Sequence, residues 1–124
     1  MEKEIEINGI KYVPASSVKT LAKAKSFKNM PYVIVRTYSA GVFAGYLAKR
    51  TGQEVTLKQA RRIWYWDGCA SLSELAVHGT AKPQNCKFPE EVENVELLQA
   101  IEILECTEKS KESIAKVAIW KFNE

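Results

Sequence analysis

The residues best suited to binding chemistry lie in one stretch, residues 59–71, which holds two of the three tryptophans beside a pair of arginines. If this stretch is a β-strand, whose side chains alternate between faces, Arg62, Trp64 and Trp66 point to one face. The opposite face then carries Arg61, Ile63, Tyr65 and Asp67. Arginines beside exposed aromatic rings bind bases and phosphates through stacking, cation–π contacts and bidentate hydrogen bonds.

The alternative interpretation of the same stretch is structural. Tryptophans mostly lie in protein cores, and an arginine can extend along their edge to reach water. Because one face of the strand must serve the core, we expect only part of the cluster to touch a ligand.

The residue groups that most enzyme classes need are missing. A single histidine excludes a multi-histidine metal site, and the three cysteines lack zinc-ligand spacing. The phosphate-binding and dinucleotide-binding glycine motifs are also missing. Cys69 and His78 fall at opposite ends of one short predicted helix, about a dozen ångström apart, so they form no catalytic pair. We expect no catalytic residue, no metal and no cofactor.

Length and charge narrow the class of protein. The 124 residues fit one domain, and a net charge of +3 with both signs spread along the chain argues against a nonspecific DNA-coating protein. The odd number of cysteines, the N-terminus without an apolar run and the lack of a long apolar segment predict a soluble, cytoplasmic protein.

Strand signals dominate the first two thirds of the chain. Asn8-Gly9 between two short alternating runs, residues 4–7 and 10–13, predicts a β-hairpin. Residues 15–29 then form either a short helix or a linker. From Pro31 onward, three segments rich in β-branched and aromatic residues predict a three-stranded antiparallel meander, residues 32–38, 42–48 and 54–67.

Two helices and two further apolar stretches follow. Ser71 and Glu74 match a capping box for a helix that ends at Gly79, and residues 80–91 form an irregular loop. Residues 94–98 and 100–104 are both apolar, and the second alternates clearly enough to predict a strand. Thr107 caps a helix through Lys116, with Ile114 and Ala115 facing inward and Lys111 as a further candidate for that face. The closing segment, residues 117–120, either adds an edge strand or packs Trp120 against the body.

These elements predict an α+β fold. It consists of an antiparallel β-sheet, a meander of about five to six strands, with two short helices and an N-terminal β-hairpin. Residues 1–30 hold the hairpin with the linker or short helix, and residues 31–124 form a single α+β ligand-binding domain.

Four segments carry a resemblance to a family of small phage and prophage proteins. They are YVIVRTYSAGVFAG from residue 32, ARRIWYWDGCASLSELA from residue 60, CKF from residue 86 and AIEI from residue 100. The resemblance covers nearly everything from residue 31 onward. This family is identified as the first described type of Thoeris anti-defence proteins, which are phage-encoded sponges for signalling nucleotides.

The resemblance implies a role without catalysis in the cytoplasm of the infected bacterial host. Such a sponge binds a cyclic ADP-ribose isomer made by a TIR-domain protein and withholds it from its effector, and some members also hold cyclic oligonucleotides at separate sites. It further implies a homo-oligomer, a dimer or an assembly of dimers, with no membrane and no obligate nucleic acid as partner.

The candidate ligand-binding residues share aromatic, cationic or helix-capping chemistry suited to an adenine or a diphosphate. They are Arg36, Tyr38, Arg61, Arg62, Trp64, Trp66, Ser71, Lys87, Phe88 and Lys109.

Two other classes of function fit the same residues. One is a module for single-stranded nucleic acid or RNA that stacks bases on Tyr38, Trp64 and Trp66. The other is a phage inhibitor that blocks a host protein through an exposed aromatic surface.

Overall fold

The N-terminal hairpin is present in the computed structural model, which describes residues 5–7, 10–12 and 22–122. Strands β1 (Ile5–Ile7) and β2 (Ile10–Tyr12) pair antiparallel with Ile7 opposite Ile10, as the Asn-Gly signal predicts. The predicted turn at residues 8 and 9 and residues 15–21 of the predicted helix or linker lie outside the described residues. The described part of that segment, residues 22–29, contains no helix.

The main body is a five-stranded antiparallel sheet packed with two helices, which confirms the predicted α+β fold. Its strands are β3 (Tyr32–Thr37), β4 (Val42–Thr51), β5 (Glu54–Arg62), β6 (Val92–Leu97) and β7 (Ala100–Glu105). They lie in the order β6-β5-β4-β3-β7, and β3, β4 and β5 form the predicted meander.

The sheet is strongly rolled, because β6 and β7 form its opposite edges although only Leu98 and Gln99 connect them. In a flat sheet these edges would lie four strand spacings apart, about 19 Å. Three residue steps of extended chain span at most about 11 Å. Across the roll, the Ala100 amide at the start of β7 donates to the Gln53 carbonyl in the β4–β5 turn at 2.9 Å.

The inside of the roll is one of two hydrophobic cores. All five strands contribute to it; Val35 and Leu57 are fully buried, and Phe43 and Leu97 are nearly so. Removing these side chains from water stabilises the roll without help from a helix.

The second core lies on the outer face of the sheet, beneath α1 (Leu72–His78) and α2 (Glu108–Lys116). Leu75 of α1 and Ile114 of α2 are fully buried there. The helices meet closely at Gly79, where an added Cβ atom would lie 2.4 Å from the Ser113 Cβ. A short 3-10 helix, Pro83–Asn85, lies in the loop between α1 and β6.

The predicted inward face of α2 is half right. Ile114 is buried as expected, but Ala115 is exposed and Ser110 is buried instead. Residues four apart share one side of a helix, so the helix that buries Ile114 also buries position 110 and turns the adjacent position outward.

The packed body begins before Pro31. The Ala24 amide bonds the Cys106 carbonyl at 3.0 Å, and the Glu108 amide bonds the Ala22 carbonyl at 2.8 Å. Ala24 itself belongs to the outer core. Part of the segment assigned to the linker is therefore a structural element of the domain.

Candidate ligand-binding site

Strand β5 ends at Arg62, so the prediction that one strand continues through Trp64 and Trp66 is wrong. A β-bulge lies earlier in the strand, at Gln59, whose φ of 49° is left-handed and where the pairing with β4 shifts register. A bulge bends its strand and increases the local twist. After Ile63, whose amide still bonds Val42, the chain leaves the sheet.

The next two residues pair with a different partner. The amides of Trp64 and Tyr65 both donate to the Lys87 carbonyl, at 3.1 and 3.2 Å, and the Lys87 amide donates to the Tyr65 carbonyl at 2.7 Å. This pairing splits the tryptophans. Trp64 is 62% exposed, whereas Trp66 packs partly buried against the outer core.

Exposed aromatic rings and one lysine gather at this point of the surface. The rings of Trp64 and Trp120 lie nearly parallel, 13° apart, with their centroids 6.3 Å from each other. The Lys87 Nζ atom lies 5.4 Å from the Trp120 ring centroid and 5.9 Å from that of Tyr65. We call Trp64, Tyr65, Lys87 and Trp120 the aromatic–lysine patch.

An apolar hollow of about 350 Å³ adjoins this patch, lined by Pro89, Trp120, Lys121 and Phe122. Phe122 is 86% exposed, so its ring is free to pack against a further molecule. The patch and the hollow together offer several aromatic faces and two ammonium groups at one place.

Arg61 lies beneath the patch and serves the fold. It is buried, and its guanidinium donates to the carbonyls of Pro89, Ile114 and Phe88 at 3.0, 2.8 and 3.0 Å. It also lies 5.5 Å from the centroid of the Phe88 ring, which is fully buried. Burial lowers the pKa of the guanidinium from its usual value. Arg61 therefore joins β5, the loop before β6 and the last turn of α2.

The Phe88 carbonyl connects Arg61 to the patch. It accepts one hydrogen bond from Arg61 Nη2 and one from the Trp120 amide, both 3.0 Å long. Ile119 bridges Phe88 in parallel pairing. The position of Trp120 thus depends on a carbonyl that Arg61 fixes from below.

Three of the predicted site residues lie away from the aromatic–lysine patch: Arg36, Tyr38 and Arg62. Arg36 on β3 turns toward β7, where its Nε atom pairs with Glu102 at 2.9 Å. Tyr38 is 76% exposed in the β3–β4 turn. Arg62 reaches that same turn, donating to the Ala40 carbonyl with its Cζ atom 4.3 Å from the Phe43 ring centroid. This turn therefore meets the end of β5 at Arg62 and away from the tryptophans.

Ser71 and Lys109 belong to the helices. Ser71 caps α1 as predicted, accepting the Glu74 amide at 3.1 Å, while the Glu74 carboxylate accepts the Ala70 amide and so completes the capping box one residue early. Lys109 lies exposed on α2, in a surface groove that also contains His78 and Lys116.

The structure therefore unites two predicted site residues, Trp64 and Lys87, and places Arg61 and Phe88 under them. Phe88 is inaccessible to any ligand as it stands. Tyr65 and Trp120 complete the patch without having been predicted as site residues. Trp120 lies 56 positions after Trp64, and no local sequence pattern predicts that the chain returns to the vicinity of Trp64 at that point.

Residues 30–114, well over half of the chain, match the model of a family described as "Domain of unknown function (DUF6948)". The chain belongs to this family. The DUF6948 match contains Trp64, Tyr65 and Lys87, whereas Trp120 lies beyond its end. No curated protein and no solved structure matches the chain.

Residues 5–7, 10–12 and 22–122 contain no group of three histidine, cysteine or acidic side chains that could hold a metal ion. No helix among them is long and apolar enough to cross a membrane.

Proposed function

We propose that the protein binds and sequesters a cyclic nucleotide signal, a cyclic ADP-ribose isomer, on the aromatic–lysine patch without converting it. The observation that carries the proposal is the pair of solvent-exposed, nearly parallel tryptophan rings, Trp64 and Trp120. Large exposed aromatic groups that cluster on a small domain usually mark a binding surface.

Stacking is the interaction that the patch supports best. Every base presents a flat π-face, and stacking one on an aromatic side chain contributes about 1–3 kcal/mol. The backbone of Trp64 is fixed by pairing with Lys87 and that of Trp120 by its hydrogen bond to Phe88, and the two rings lie nearly parallel beside each other before a ligand arrives. Preorganised rings lose little conformational freedom on binding, which favours affinity.

Cationic groups at the edge of the rings suit the phosphates of such a ligand. Lys87 lies between Tyr65 and Trp120, and Lys121 lines the adjoining hollow. An ammonium group binds phosphate as a point charge, so it tolerates a cyclic diphosphate in more than one orientation.

Sequestration without catalysis agrees with the state of the reactive side chains. Burial raises the pKa of the Cys69 thiol, which keeps it a protonated, weak nucleophile at neutral pH. The His78 side chain is exposed at the far end of α1 from Cys69. A protein that sequesters a signal must bind it tightly and release it slowly. Neither the Cys69 thiol nor the His78 side chain interferes with that role.

The biological setting follows from the resemblance to Thoeris anti-defence proteins. We propose that the protein acts in the cytoplasm of the infected bacterial host and removes the signal of a TIR-domain defence protein. Because the patch contacts a bound ligand from one side and leaves the other side exposed, we also propose that a second copy of the chain covers the ligand in a dimer or an assembly of dimers.

A mass-spectrometric capture experiment tests this function. The protein is incubated with extract from phage-infected cells that carry a TIR defence system, reisolated and heated, and the released molecules are identified. Wild type is expected to release an intact cyclic ADP-ribose isomer, and a Trp64→Ala/Trp120→Ala variant is expected to release none.

Leu98→Ala provides the matched control, because Leu98 is 67% exposed at the β6–β7 connection and its loss removes apolar surface elsewhere. Release of no nucleotide, or of a cleaved one, from wild type would contradict the proposal. Capture of oligonucleotides that weakens steeply with salt would instead favour a nucleic-acid-binding module.

A further inference from the structure

A second cavity, of about 250 Å³, lies between the outer face of the sheet and α2. Its lining includes Arg61 and Gln59 of β5, Tyr32 and Tyr46 of β3 and β4, and Lys111 of α2. Ile119 closes one side, whereas the next residue, Trp120, belongs to the aromatic–lysine patch. The cavity and the patch are therefore two distinct sites, on opposite sides of the segment that contains Ile119 and Trp120.

Positive charge dominates the lining of this cavity. Arg61 and Lys111 contribute two cationic groups and Glu91 one carboxylate. Within the described part of the chain, no carboxylate lies within 4.0 Å of the Arg61 guanidinium. A buried charge is normally paired, so a guanidinium that only carbonyls contact, beside an open cavity, favours an anion there.

Arg61 retains hydrogen-bonding capacity for such an anion. A guanidinium carries five N–H donors, and the carbonyls of Pro89, Phe88 and Ile114 account for three among the described residues. Two donors are left, and they belong to a side chain whose position is already fixed.

Neutral hydrogen-bonding groups complete the lining. Tyr32 and Tyr46 are both nearly buried, and burial raises the pKa of Tyr32, so its hydroxyl stays a neutral donor. Lys111 is held with its Nζ atom 5.4 Å from the Tyr46 ring centroid. Gln59 enters the cavity from the left-handed position of the bulge, a conformation that costs free energy and persists where surrounding structure enforces it.

We propose that this cavity is a site for a small oxyanion, a phosphate group held between Arg61 and Lys111. Its volume falls below the range of about 300–1,000 Å³ typical of pockets that enclose a whole drug-sized ligand, which favours inorganic phosphate or a phosphorylated sugar over a complete nucleotide. The site does not depend on the proposed function of the patch, since loss of Trp64 leaves every cavity residue in place.

A chemical-shift titration of the ¹⁵N-labelled protein in phosphate-free buffer tests the site. The two probes are inorganic phosphate and ribose 5-phosphate, which present the same oxyanion from two sources. For wild type we expect saturating shifts of the Gln59, Lys111 and Ile114 amides. Tighter binding of ribose 5-phosphate would assign the site to a phosphorylated sugar, and equal binding would assign it to phosphate itself.

Charge variants of the lining give effects of opposite sign. Lys111→Gln is expected to raise the dissociation constant about tenfold, because it removes a charge-assisted hydrogen bond. Glu91→Gln is expected to lower it about threefold, because it removes a repelling carboxylate. The controls Lys116→Gln, on the same helix, and Glu90→Gln, the adjacent carboxylate, make the same charge changes outside the cavity lining.

Two results would overturn the proposal. One is the lack of saturating shifts with both anions. The other is an equal dissociation constant for Lys111→Gln and Lys116→Gln, which would mean that the anion only follows the general charge of the helix.

Discussion

Arg61 and Trp64 lie three positions apart in the chain but have opposite surroundings. Arg61 is 6% exposed and donates to three backbone carbonyls, whereas Trp64 is 62% exposed and has its ring next to that of Trp120. The residue type with the stronger tendency to lie on surfaces is inside, and the type that usually fills cores is outside. The buried Arg61 therefore stabilises the domain, whereas the exposed Trp64 contributes to a surface that can bind a ligand.

The two regions are nevertheless coupled through one carbonyl. Phe88 accepts hydrogen bonds from both Arg61 and Trp120, so the buried arginine supports the exposed ring without touching a ligand on the patch. A rigid scaffold beneath a binding surface keeps that surface preorganised, which is the role we assign to Arg61.

The largest expected effect is the loss of stability on removing Arg61. Arg61→Met removes one donor from each of three buried or half-buried carbonyls, together with the packing of the guanidinium against Phe88, and is expected to lower the free energy of unfolding by about 3 kcal/mol. Urea denaturation followed by circular dichroism measures it.

Arg62→Met is the matched control for Arg61→Met. Arg62 is only half-buried and donates to one carbonyl in the described structure, so we expect a loss of about 1 kcal/mol or less. Equal losses for the two variants would contradict the distinction between the buried and the exposed region.

A smaller effect is expected for Lys87→Gln, this time on binding. The side chain lies over two aromatic rings, so the variant removes both cation–π contacts and a charge for the ligand phosphate. Affinity for a cyclic ADP-ribose isomer should fall about fivefold, while the free energy of unfolding changes by less than about 0.5 kcal/mol. A stability loss without an affinity loss would assign Lys87 to the scaffold instead.

The smallest effect concerns the turn that follows Trp66. The Asp67 carboxylate accepts from Asn85 Nδ2 at 2.9 Å and from the Gly68 amide at 2.8 Å, and these bonds lower its pKa. A carboxyl group whose pKa is lowered by folding stabilises the protein above its unfolded pKa, about 3.9, and that stabilisation is lost as the pH falls through the folded pKa.

The difference in Tm between wild type and Asp67→Ala should therefore be larger at pH 7 than at pH 3. Thermal denaturation at the two pH values measures it. A difference that widens toward acid would show that Asp67 does not hold this turn as a carboxylate.

Much of the fold could be predicted from the sequence because its signals are local. Asn8-Gly9 indicated the hairpin, dense β-branched runs indicated the meander, and Ser71 and Thr107 marked the helix starts. The predicted alternation through Trp66 was wrong because β5 ends at Arg62 and the next residues pair with Lys87, a tertiary contact that no local period anticipates.

The candidate site was harder to predict because its residues are distant from one another in the sequence. Its parts come from three separate segments, and only tertiary packing brings Trp120 beside Trp64 and Lys87 beside Tyr65. Sequence alone also assigned Phe88 to ligand contact and grouped Arg61 with Trp64, because residue type does not reveal that Phe88 is fully buried or that Arg61 donates to backbone carbonyls beneath the patch.

The most direct test of the account is a calorimetric titration of a cyclic ADP-ribose isomer into wild type and Trp64→Ala. Because Trp64 is exposed, the variant should stay folded, with a urea midpoint close to that of wild type. We predict that its affinity falls about tenfold or more, through the loss of one stacking face. Equal affinity in the folded variant would contradict the claim that the exposed tryptophans hold the ligand.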